Sequence, residues 1–189
     1  MIEPRFDEYN EMVEHFKNRT KRHIQLVQKY ATLIESQYHS NGLAELAKTH
    51  DASKFSEPEY SPYLHVSWKY KMQDEGKVYN PPEFIRQQMT QATEHHVKSN
   101  KHHPEAWTHQ TNTINPNNRD EPPKEMIDAT KMPDIYIAEM CADWLAMAEE
   151  KGTSVREWAN KNVNIRWKFN ENQINQIYRI IDVFNFDNK

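Results

Sequence analysis

"MPDIYIAEMCADWLAMAEEKG", residues 132–152, is the stretch on which the fold turns. It reads as the strongest helix of the chain, apolar along most of its length and closed by Gly152. Asp143 stands in its middle, flanked by Cys141, Ala142, Trp144 and Leu145. An ionised carboxylate in such surroundings is costly unless it is paired or bound to a metal. One segment therefore raises the question of fold and the question of function together.

Helical patterns extend outward from it in both directions. Downstream, Ser154 and Glu157 have the spacing of a capping box for a short helix, and "ENQINQIYRIIDVF" (171–184) reads as the last one. Upstream, Met12, Phe16, His23, Leu26, Val27, Tyr30 and Ile34 recur at helical spacing and predict a helix from about Asp7 to Tyr38. A second is expected from about Gly42 to His50. A third has Ser56 as N-cap and Pro58 in its first turn, and runs to near Gly76. A fourth begins at Asn80, carries Ile85, Met89, Ala92 and His96 on one stripe, and is ended by Pro104. Residues 104–131 are rich in Pro, Asn and Asp and read as a long loop with one helical turn around Met126; a loop of that length is more often functional than idle.

Composition agrees with helix. Of 189 residues only three are glycine, too few for a sandwich or barrel of tight turns and for a Gly-rich phosphate loop. The expected fold is an all-α, single-domain helical bundle spanning residues 1–189. One cysteine excludes an internal disulfide and a thiolate zinc site. The segment "MIEPRFDEYNEM" lacks the halves of a signal peptide and no stretch is apolar enough to span a bilayer, so a cytoplasmic location is expected, with no membrane partner. A net charge of -4 gives no global attraction to a nucleic-acid backbone, which argues against bulk nucleic acid as partner.

Ten histidines remain to be explained. In "LAKTHDASKF" (46–55), His50 and Asp51 are adjacent where a helix ends, and adjacent helical residues point about 100° apart. They converge only on something small and close, such as a metal ion. His23 lies on the apolar stripe of the first helix. Neutral imidazoles and carboxylates are the usual ligands of divalent ions, so His23, His50, Asp51 and Asp143 make a sensible donor set. Taken singly, a stripe histidine is more often a packed core residue and a helical aspartate more often a partner of arginine. The set shifts that balance. "TEHHVKSNKHHPEAW" (93–107) adds His95, His96, His102 and His103. On one helix His96 and His103 share a face, with His95 and His102 a parallel pair beside it; the bland reading is a solvated helix end. His15, His39, His65 and His109 read as surface or packing residues. Lys17, Arg19, Lys21 and Arg22 before His23, with Lys54, Lys98 and Lys101, place cations beside these candidates and point to a small anionic substrate.

The ordered pattern His…His-Asp…His…His…Asp on an all-α chain resembles the HD-domain superfamily of metal-dependent phosphohydrolases. More narrowly, "HDASKF" followed by "EY", then "HHVKSNKHH" and "MPDIYIAEMCADWL", looks like a small uncharacterised HD-like family of bacteria and phages. The similarity runs from about His23 to Trp158. It implies a principal divalent metal (Zn, Mn, Fe, Co, Ni or Mg) on His23, His50, Asp51 and Asp143, with a second metal left open. It also implies a phosphate grip from Lys54 and from His96 and His103, with His95 and His102 as rivals. The expected activity is hydrolysis of a nucleotide or related phosphate ester by a metal-activated water, with Tyr60, Tyr63 or Trp107 available to stack on a base. An HD-type di-iron oxygenase, a non-catalytic nucleotide- or protein-binding domain and a structural helical protein are the rival expectations, and self-association stays open.

Overall fold

Phe6–Tyr38 form one continuous helix, α1, in this computed structural model, which describes residues 6–111, 113 and 123–184. Met12, Phe16, Thr20, His23, Val27, Tyr30 and Ile34, three or four apart, are its buried stripe, as the periodicity predicts. Six shorter helices follow among the described residues: α2 (Leu43–Leu46), α3 (Tyr60–Asp74), α4 (Glu83–Ser99), α5 (Asp134–Lys151), α6 (Val155–Asn162) and α7 (Glu171–Val183). The only strands among them are β1 (Ile127–Asp128) and β2 (Trp167–Lys168), a parallel pair with Ile127 opposite Trp167. The protein is all-α. No helix among the described residues is long and apolar enough to cross a membrane.

The chain divides into two compact units interleaved in sequence. The first takes the described residues up to Arg22 and Asp51–His96; Met12, Phe16, Leu64 and Trp68 are its core, with Tyr60 and Tyr63 packed against them. The second takes His23–His50 and the described residues from Val97 onward. It is built around α5, which packs on α2, α6 and α7. Ile137, Met140 and Leu145 of α5 are buried almost completely, and each such side chain contributes about 1.5–3 kcal/mol by leaving water. Ala138, Cys141, Ala142 and Ala146 bring neighbouring backbones close because they are small. Gly152 ends α5 at φ 62°, where a Cβ would be strained.

Several boundaries differ from the sequence expectation, each for a local reason. The helix expected over 42–50 is one turn of α2 continued by a 3-10 turn, Ala47–Thr49. His50 is then extended and Asp51 lies in the left-handed region at φ 57°, so the pair is not helical. Ser56 does not cap a helix directly: the amides of Glu59 and Tyr60 close turns onto its carbonyl, and α3 starts only at Tyr60. The helix expected to run to Pro104 stops at Ser99, because the residue before a proline avoids helical geometry and His103 is extended. Pro104–Trp107 make a 3-10 turn. The helical turn expected around Met126 is replaced by β1, whose flanking amides bond to the carbonyls of Arg166 and Lys168. Residues 112 and 114–122 of the expected loop lie outside the described residues. Ser154 caps α6 by accepting from the Glu157 amide, and a full reciprocal box sits at Asn170 and Gln173 of α7.

Candidate metal centre

Glu139, Asp143 and Glu150 lie four and seven residues apart on α5, so their carboxylates share one helical face. Histidines from three other segments of the second unit meet that face. His23 of α1 places Nε2 3.0 Å from Asp143 Oδ1 and Nδ1 3.3 Å from Glu150 Oε2. His50, extended after the 3-10 turn, places Nδ1 3.1 Å from Glu139 Oε1 and Nε2 3.9 Å from the same Asp143 oxygen. His102, in the turn after α4, has Nδ1 3.7 Å from Glu139 Oε1, and its ring centroid is 4.1 Å from that of His50. His50, His102 and Asp143 each offer a ligand atom within 4.8 Å of the others. These buried histidines and the aspartate form a group able to hold a metal ion.

The chemistry of the donors fits that use. A metal-binding imidazole gives one nitrogen to the ion and its other N–H to a carboxylate, which fixes tautomer and orientation. Here the Nδ1 atoms of His23 and His50 have Glu150 and Glu139, and both Nε2 atoms converge on Asp143 Oδ1. Burial by itself would raise the Asp143 carboxyl. The hydrogen bond from His23 and the charges of His23, His50 and His102 outweigh burial and hold the group below the usual carboxylate range. Asp143 is less enclosed than its apolar neighbours suggest, since its side chain keeps 17 % of its exposure.

A second network lies wholly within the first unit. Glu59, completely buried at the start of α3, accepts three hydrogen bonds. His95 Nδ1 is 2.7 Å from its Oε1, His96 Nδ1 is 2.8 Å from its Oε2, and the Ser53 hydroxyl donates to Oε2 at 3.0 Å. His96 Nε2 in turn stands 3.4 Å from Asp51 Oδ1, while Lys54 donates to Asp51 Oδ2. Burial works to raise the Glu59 carboxyl, but the hydrogen bond and charge of His96 and the bonds from His95 and Ser53 leave it lowered. Burial, with the Lys54 charge beside it, lowers His96.

Of the residues singled out in the sequence, His23, His50, His102 and Asp143 come together in the second unit. Asp51, Lys54, His95 and His96 come together in the first. His103 does not follow His96 along a helix face, because α4 has already ended; it is half-buried with its ring 4.3 Å from that of His102. His96 points inward as expected and His95 is the exposed neighbour. Tyr60 and Tyr63 pack in the first core and Trp107 lies against Tyr136, so the three aromatics expected to stack on a base already have protein neighbours. His65 is a packing residue, buried with Nδ1 2.6 Å from the Tyr79 hydroxyl. Sequence reasoning missed Glu59, Glu139 and Glu150. The last two were legible from their spacing around Asp143; Glu59 carries no such signal.

Residues 12–183 match the model of a family described as a family of unknown function (DUF5662). No curated protein and no solved structure matches the chain.

Proposed function

The chain belongs to the family of unknown function DUF5662, and we propose that it is a metal-dependent phosphohydrolase acting on a nucleotide or related phosphate ester. In this reading the second unit holds a divalent ion through His23, His50, His102 and Asp143. One observation carries the metal assignment: two Nε2 atoms aim at one aspartate oxygen, at 3.0 and 3.9 Å, while a glutamate holds the Nδ1 of each ring. Three imidazoles and one carboxylate suit Zn, Mn, Fe, Co or Ni better than Mg, which favours oxygen donors. A bound ion of this kind supplies Lewis acidity, bringing the pKa of a coordinated water from about 15.7 toward 7 in the best case and polarising a phosphoryl oxygen.

The protein's own side chains do the rest. Glu139 and Glu150 orient His50 and His23 and fix which ring nitrogen faces Asp143. Asp143 contributes the negative charge that offsets part of the ion's. The hydrolase assignment, as distinct from the metal site, rests on the resemblance to HD-domain phosphohydrolases.

The test is a screen of nucleotides and phosphate esters against Zn, Mn, Fe, Co, Ni and Mg, reading released phosphate. Metal-dependent release that disappears in Asp143→Ala is the expected result. A chain that binds an ion yet releases phosphate from nothing overturns the hydrolase reading. About two irons per chain, with colour, would favour an oxygenase instead.

A further inference from the structure

The two-residue sheet of this otherwise helical chain aims one side chain. The amides of Ile127 and Ala129 bond to the carbonyls of Arg166 and Lys168 at 2.9 and 3.0 Å, which fixes β2 beside β1. Successive strand residues point to opposite faces, so Trp167 is buried and Lys168 is exposed. A buried indole N–H calls for an acceptor. Trp167 Nε1 donates to Glu105 Oε1 at 2.9 Å, across 62 positions of sequence, and Glu105 is itself buried. Glu105 stands in the 3-10 turn Pro104–Trp107, just after His102. The Trp167 ring also stacks on Trp144, with centroids 5.8 Å apart and planes 21° from parallel, and Trp144 follows Asp143 on α5. One indole thus touches both the turn that carries His102 and the helix that carries Asp143, all within the second unit.

We infer that Trp167 and Glu105 are positioning residues for His102: their hydrogen bond holds the turn after α4 against α5, so that the His102 imidazole stays beside His50, Glu139 and Asp143. The consequence for ion affinity rests on the metal reading of that cluster; the hydrolase reading is not needed. The turn moves as one piece, because it is bonded within itself. The His103 amide bonds to the Asn100 carbonyl at 3.0 Å, the Ala106 amide to the His103 carbonyl at 3.1 Å, and Trp107 Nε1 to the Lys101 carbonyl at 2.9 Å. A bond made at Glu105 therefore sets where His102 lies. His102 Nδ1 is 3.7 Å from Glu139 Oε1, and a ligand atom of His102 lies within 4.8 Å of one from His50 and one from Asp143. A zinc–nitrogen bond is only about 2.0–2.1 Å long, and a site works when its donors are held to within about 0.5 Å. Apolar packing alone would bury the same surfaces. The directional bond from Trp167 to a buried carboxylate fixes the placement, and the acceptor offsets what burying that carboxylate costs.

Four variants of the full-length chain test this. Trp167→Phe keeps an aromatic ring and removes the N–H. Glu105→Leu removes the acceptor, whereas Glu105→Gln keeps an acceptor oxygen. Ile181→Val, at a completely buried position on α7, loosens the same core without touching the turn and is the control for stability. Calorimetric titration with Zn should show Trp167→Phe and Glu105→Leu binding about tenfold or more weakly, with Glu105→Gln and Ile181→Val close to the wild type. In the metal-free chain, nuclear Overhauser contacts between the His50 and His102 rings, whose centroids are 4.1 Å apart, should be present in the wild type. They should fade in Trp167→Phe and Glu105→Leu and persist in the other two. Undiminished ring contacts in both Trp167→Phe and Glu105→Leu overturn the inference. So does a loss of affinity in Ile181→Val equal to theirs, which would make the effect one of stability alone. Should one of the two loss variants not fold, the other decides. A wild type that binds no Zn overturns the metal reading alone, because the ring contacts of the metal-free chain are judged separately.

Discussion

Glu139→Gln changes one group in the support of the histidine cluster, and its consequence can be worked out. Glu139 Oε1 lies 3.1 Å from His50 Nδ1 and 3.7 Å from His102 Nδ1, one turn of α5 before Asp143. Gln keeps the volume but removes the carboxylate that orients both rings. Loss of such a partner costs about 10–100-fold in metal affinity, which is about 1.4–2.7 kcal/mol. For the wild type, an ion at a hundred times its Kd stabilises the native state by about 2.7 kcal/mol. At about 2–4 °C per kcal/mol for a chain of this size, melting rises by about 5–11 °C. At the same ion concentration the variant retains only about 0.4–1.4 kcal/mol, so its rise shrinks to about 1–6 °C. Calorimetric titration with Zn and Mn gives the affinity, and melts with and without ion give the linked shift. Wild-type affinity in a variant of unchanged circular dichroism would refute the reasoning. The carboxylates on Nδ1 would then be an ordinary buried ion network.

Gln173→Ala should destabilise by about 1–3 kcal/mol, because its buried amide donates to the carbonyls of Ala129, Thr130 and Met132 and leaves them bare; urea midpoints check this, and a neutral result would remove Gln173 as the tie between α7 and the segment before α5. Leu145→Ala should cost about 2–5 kcal/mol at its completely enclosed position on α5, measured the same way, and a loss under 1 kcal/mol would mean that the α5 core collapses around the gap. The Glu59 carboxyl is lowered in the native state, so between its ordinary value of about 4.3 and its native value the unfolded chain binds more protons. The stability it lends is therefore complete above about pH 4.3 and is lost as pH falls through the native value. Unfolding free energy measured from pH 6 to pH 3 should drop more steeply in the wild type than in Glu59→Gln, and parallel curves would count against an ionised Glu59.

The helices were readable where periodicity was strong and caps were ordinary. α1 and α5 follow their apolar stripes, and Gly152 ends α5 as a left-handed glycine should. The errors cluster where tertiary bonds set the backbone. The carbonyl of Ser56 gathers two amides and delays α3, and a two-residue strand at Ile127 exists because a partner at Trp167 is there to pair with it. Nothing in the local sequence reports either partner. The site was half legible for the same reason. Asp143 stood out because a carboxylate among apolar residues is conspicuous, and His23 because it sat on a buried stripe. A shared helix face for His96 and His103 is not formed because the helix stops at Ser99, and His102 is the histidine of this segment whose ring stands beside the Glu139 carboxylate on α5. Glu139 and Glu150 share the face of Asp143 and needed only the spacing of four and seven to be found. Glu59 is recognisable only once His95, His96 and Ser53 are seen around it.

Anomalous X-ray scattering from crystals of the full chain equilibrated with Mn or Zn tests the central claim most directly. The account predicts one strong peak at the metal's absorption edge, bonded to Nε2 of His23, Nε2 of His50 and a carboxylate oxygen of Asp143, with His102 in its shell. It also predicts that the peak is lost in crystals of Asp143→Ala. A structure at saturating ion with His23 Nε2 still bonded to Asp143 and no peak between them would contradict it.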